Sequence, residues 1–128
     1  MAREFRTPLK RVRGLGSAKD GTQHFWHQRV TAYANVALTL FLVGLVVSLS
    51  GQDYVGARAA LGSMPVAIGL LALILAGVWH MKLGMQVIIE DYVHDKGALT
   101  VALLLNTFFS AAIGIACVLA VIKMVLAG

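Results

Sequence analysis

Residues 80–92 set a histidine inside a long apolar segment and close that segment with an acid and a phenol: His80, then Asp91 and Tyr92. Ionisable groups at membrane depth are costly and mark function by default. A neutral imidazole is a standard axial ligand for haem iron, and a low-dielectric site favours the neutral form. His80 is therefore a candidate metal or haem ligand. On a continuous helix Asp91 falls about 20° from His80 after three turns and about 16 Å along the axis, on the same face and nearer the membrane boundary. Tyr92 falls at about 120°, on or just past the last turn. A phenol can donate to a quinone carbonyl, and a neighbouring carboxylate can orient donors or relay protons. The plainer alternatives are a histidine that only bonds a neighbouring helix, a solvated acid at a helix end and an interfacial tyrosine.

Other residues gather around this line. Gly69, Gly77 and Gly84 lie within about 60° of His80. Such a stripe is either a seam for close helix packing or clearance for a flat macrocycle beside an axial histidine. Arg29 stands at the mouth of the first apolar segment. It is a snorkelling anchor or a cation for haem propionates and the quinone pocket, since guanidinium suits carboxylates; His24 could join it. The other histidines, His24, His27 and His94, lie near one membrane boundary, so a six-coordinate haem on His80 needs its second ligand from another chain. Lys82 is deep in the same segment as His80 and is left without an assigned partner.

The elements that position these groups follow from composition. The 128 residues are 59% hydrophobic, against about 45–50% for a soluble domain. The excess falls in three blocks, about 29–50, 64–90 and 98–127, each long enough for the ~20 residues that cross a bilayer as helix. The expectation is an all-α membrane protein: a basic segment, 1–28, and a three-helix domain, 29–128. Residues 21–28, with Phe25 and Trp26, read as an approach to the first helix at the headgroup level. Residues 51–63 read as an external loop with room for a short helix, Ser63 and Pro65 as a helix start, and Gly97 as the break before the last helix. Three helices leave a cofactor without a fourth wall, which calls for a partner with helices of its own.

The net charge of +5 does not signal nucleic acid. Seven of the eleven basic residues precede residue 30: Arg3, Arg6, Lys10, Arg11, Arg13, Lys19 and Arg29. That bias puts the N-terminus on the cytoplasmic side and the C-terminus outside. The first apolar run is too long for a cleaved signal. Cys117 is the sole cysteine, so no intrachain disulfide forms.

The pattern resembles the smaller membrane-anchor protein, of the cytochrome b type, of succinate dehydrogenase (respiratory complex II), over nearly the whole chain. It rests on His80 and Gly84 followed by Asp91 and Tyr92, on Arg29 to Ala32 entering the first helix, and on three crossings in this length. Residues 16–26 resemble the bacterial branch closest to mitochondria. The resemblance implies a haem b shared with a second membrane-anchor subunit, with His80 as this chain's iron ligand. It also implies ubiquinone bound near the cytoplasmic side, Tyr92 donating to it and Asp91 in support. Electrons would come from succinate through the flavoprotein and iron–sulfur subunits, in the inner membrane of a bacterium. The chain has no Cys pattern for a cluster and no Gly-rich flavin fingerprint. Two alternatives stand beside this: the anchor of a quinol:fumarate reductase, and a non-redox three-helix scaffold subunit.

Overall fold

The computed structural model describes Leu9 and residues 20–126. The basic positions from Arg3 to Lys19 lie outside the described residues. Among the described residues four long or complete helices follow one another: α1 (Asp20–Leu49), α2 (Tyr54–Gly62), α3 (Met64–Tyr92) and α4 (Lys96–Leu126). Three of them, over Thr22–Leu49, Met64–Tyr92 and Lys96–Leu126, are long and apolar enough to cross a membrane. Helices are the natural outcome, because hydrocarbon offers no partner to a free N–H or C=O and a helix satisfies both within itself.

The ends depart from expectation in two places. The first helix starts at Asp20 rather than near residue 29. Residues 21–28 are thus part of the span's own helix and not a separate approach to it. The last break falls at residues 93–95 rather than at Gly97, which lies in the first turn of α4. There Val93 turns extended, and the Asp95 carboxylate accepts from Ala98 N at 2.8 Å, restarting the helix. Between α1 and α3 the short α2 forms as foreseen, with Asp53 Oδ1 accepting from Gly56 N at 2.8 Å. Ser63 precedes α3 in extended conformation, with Pro65 in the first turn. Its hydroxyl does not cap α3 but turns back to Ala60 O at 2.6 Å.

α3 is the central element. It packs against α1 on one side and α4 on the other, while α1 and α4 do not pack on each other. The result is an open layer of three long helices with α2 across one end. Against α4, Val78 lies over Gly114, where an added Cβ would come to 3.4 Å. The Asn106 amide donates to Lys82 O at 3.0 Å in the same seam. Against α1, the Phe41 ring covers Gly69 so closely that a Cβ there would come within 2.5 Å of it. Few described side chains are buried: Leu45, Ala67, Leu83, Asn106, Ser110 and Val121. An apolar exterior is what a bilayer solvates, so small residues and close fit hold such helices together.

Gly69 and Gly44 differ in what surrounds them, since an added Cβ at Gly44 meets nothing within 4 Å. Gly69→Leu should cost about 1–3 kcal/mol by forcing the Phe41 ring aside, and Gly44→Leu should cost less. Thermal unfolding of both variants in nanodiscs checks this; equal stabilities would mean the α1–α3 contact is not as described.

Candidate functional site

His80 meets α1 through one polar contact. Its Nδ1 lies 3.1 Å from Thr31 Oγ1. The same hydroxyl lies 2.7 Å from His27 O and 3.1 Å from Gln28 O. A hydroxyl carries one proton, and the shortest contact takes it to the His27 carbonyl. Toward His80 the oxygen can then only accept. This network assigns the ring proton to Nδ1 and leaves the lone pair on Nε2, the tautomer that metal ligation at Nε2 requires.

Beside His80 an open groove of about 400 Å³ runs along α1, lined by Ala32, Asn35, Val36, Thr39 and Leu40. Gly77 is open as well, with nothing within 4 Å of where a Cβ would stand. At Gly84 a Cβ would meet only Gln28 Nε2, at 3.6 Å. The glycine stripe therefore divides: Gly69 is a packing seam, Gly77 faces open space, and Gly84 lets the Gln28 amide approach.

Toward the boundary a second groove, of about 250 Å³, is lined by His24, Phe25, Gln28, Arg29 and Val87. The Arg29 guanidinium rests 4.9 Å from the Phe25 ring centroid, a cation–π contact that holds the charge in place. His24 and Arg29 are thus brought together two turns from His80. Asp91 and Tyr92 do belong to α3, so the register counted from His80 holds. Both are exposed, Tyr92 to 77%. Among the described residues their side chains make no hydrogen bond or ion pair. The structure leaves them one turn beyond the Val87 groove and does not join them to it.

The remaining candidates go elsewhere. His27 packs edge-on against Trp79 at 6.3 Å. His94 Nδ1 lies 3.1 Å from Tyr92 O, and Cys117 is a half-buried free thiol in α4. Among the described residues no three His, Cys, Asp or Glu gather as a metal cage.

Sequence reasoning named Arg29 and His24 on α1 but missed Gln28, Thr31 and Asn35. His24, Gln28, Thr31 and Asn35 form one polar line along α1, spaced four, three and four residues apart. Three of its atoms, His24 Nε2, Gln28 Oε1 and Asn35 Oδ1, are buried without a hydrogen-bond partner. Buried polar atoms rarely stay unpaired, and these three are closed off by the chain's own packing. The signal was available: polar residues at heptad spacing in an apolar segment define one helix face.

The Nδ1-protonated ring can be read directly. Solid-state NMR of ¹⁵N-histidine-labelled protein should show a protonated Nδ1 and an unprotonated Nε2 at His80. Thr31→Val should abolish that preference and cost about 0.5–1.5 kcal/mol of stability, and Thr31→Ser should keep both. A native ring protonated at Nε2 would reverse the assignment.

Comparison with known proteins places the chain. The family of succinate dehydrogenase/fumarate reductase transmembrane subunits matches residues 3–122, and the chain belongs to it. Among similar curated proteins is the succinate dehydrogenase hydrophobic membrane anchor subunit of Paracoccus denitrificans, 32% identical over 118 residues, or 92% of this chain and 91% of that one. The subunit of the same name from Rickettsia bellii (strain RML369-C) is 32% identical over 96 residues, covering 73% and 74%. The succinate dehydrogenase membrane anchor subunit of Reclinomonas americana is 32% identical over 92 residues, covering 68% and 75%. No solved structure matches the chain.

Proposed function

We propose that this member of the family is the smaller membrane anchor of a succinate:ubiquinone oxidoreductase, giving His80 to a haem b and Tyr92 and Asp91 to ubiquinone. One observation carries it: His80 Nδ1 lies 3.1 Å from Thr31 Oγ1, beside an open groove along α1.

The residues present fit the group. His80 would be one ligand to the haem iron, and a second anchor subunit would give another. The groove along Ala32 and Val36 and the open space at Gly77 leave room for a flat ring. Asn35 and Thr39 place polar side chains along the same groove. Arg29 adds the cation that carboxylates at that edge would pair with. When bound, haem supplies a one-electron redox centre at membrane depth.

Quinone reduction takes up two electrons and two protons, so the residues that serve it belong where water reaches. Asp91 and Tyr92 are exposed at the end of α3 and meet that condition. The Tyr92 phenol would donate to a quinone carbonyl, and Asp91 would orient donors or pass protons from the aqueous side. Dicarboxylate chemistry would belong to the flavoprotein subunit, with the iron–sulfur subunit carrying electrons to this anchor. The basic N-terminal segment supports an orientation with the N-terminus cytoplasmic and the C-terminus periplasmic, in a bacterial inner membrane.

A reduced-minus-oxidised spectrum with a pyridine haemochrome assay tests the ligand. The purified complex should show a b-type signal, lost or converted to high spin in His80→Ala; a fully assembled native complex without haem would refute the ligand role. Tyr92→Phe should lower succinate:quinone activity about tenfold, the value of one hydrogen bond to substrate, and leave succinate oxidation by a soluble dye unchanged. An unaltered quinone rate would remove Tyr92 from the site.

A further inference from the structure

Lys82 follows His80 by two residues and stands about 160° round α3 from it, on the side turned away from the His80 groove. Its ammonium lies 5.3 Å from the centroid of the Trp79 ring. His27, from α1, meets the same indole edge-on at 6.3 Å. An aromatic face orients a cation without neutralising it. Among the described residues Lys82 makes no ion pair, and a charge at this depth calls for an anion. Glu90, about 12 Å further along the axis, is engaged by Gln86 Nε2 at 2.8 Å.

The whole face around Lys82 is graded. Ile68, Leu75, Trp79, Lys82, Gln86 and Glu90 fall within an arc of about 80° on α3. Ile68 and Leu75 are 60% and 63% exposed and Trp79 47%. Along the helix the order is apolar, aromatic, cationic, then polar. That is the order of one bilayer leaflet from acyl chain through interface to headgroup and water.

We propose that this face, opposite His80, binds an anionic phospholipid. Its phosphate sits on Lys82 with the His27 imidazole and the Trp79 indole beside it, and its acyl chain lies along Leu75 and Ile68. A protein carboxylate would answer the ammonium alone. A phospholipid answers the ammonium, the aromatic collar and the apolar track together, and α1 and α3 both contribute to the cluster through His27 and Trp79. The site does not depend on haem or quinone binding.

Native mass spectrometry of the intact complex tests it, titrating detergent-stripped protein with phosphatidylglycerol or phosphatidylcholine. Lys82→Met should lower phosphatidylglycerol occupancy about five-fold, the effect of one basic residue at an anionic surface, with phosphatidylcholine unchanged. Lys82→Arg should retain it. Should K82M not assemble, Lys82→Gln gives the same comparison. Unchanged phosphatidylglycerol binding without the ammonium overturns the site, as does equal loss of both lipids. A carbodiimide cross-link in native membranes from Lys82 to an acidic residue of another chain assigns the anion to protein and overturns it as well.

Discussion

A polar side chain inside a bilayer has to find its partner within the protein, and the contact between Thr31 and His80 is where this chain meets that demand. Intramembrane side-chain hydrogen bonds are modest in energy, about 0.6 kcal/mol on average. The consequence here is geometric more than energetic. The bond sets the register of α1 against α3, and the same register lays Phe41 over Gly69 and the Gln28 amide against Gly84. It also turns the imidazole so that one nitrogen is spoken for and the other is not. Remove the hydroxyl and the ring loses both its tautomer preference and its orientation, while the helices that carry it remain.

α3 works because its sides do different jobs. One is a packing surface for α4, closed by Val78 on Gly114 and by Asn106 on the Lys82 carbonyl. Another takes α1. Between them lie two faces left open by a layer in which α1 and α4 never meet. One open face carries His80's groove and Gly77; the other carries Trp79 and Lys82. Lys82 and His80 are near neighbours in sequence but nearly opposite in direction, so an amine and an imidazole can share one segment without sharing an environment.

Much of the fold was legible because membrane helices are announced by length and apolarity alone. The spacing from His80 to Asp91 was legible for the same reason: α3 runs unbroken to Tyr92. The start of α1 was not, since Thr22, Gln23 and His24 look unlike a span; a helix does not stop where the hydrocarbon does. Nor was the last break, because Gly97 is conspicuous whereas the residue that restarts the helix is Asp95, through one carboxylate on Ala98 N. The glycines show the limit most plainly. Gly69 and Gly77 share a face by angle, yet one is filled by Phe41 and the other is empty, and nothing in α3's own sequence says which residue of α1 arrives at which turn. The polar line of α1 was overlooked because Gln28 and Asn35 are ordinary residues singly; their meaning lies in facing His80.

The orphaned atoms bear on why an open layer is stable enough to exist. His24 Nε2, Gln28 Oε1 and Asn35 Oδ1 are buried by the chain's own packing yet satisfied by none of it. Leaving such an atom unpaired costs about 1–3 kcal/mol, and three along a single helix face would weigh heavily against so thin a core. All three lie on the line that carries Thr31, so the face of α1 that bears this cost is the one that meets His80. The α1–α3 interface therefore carries a polar cost and a polar contact together: it closes over these atoms and holds the Thr31 hydroxyl against His80.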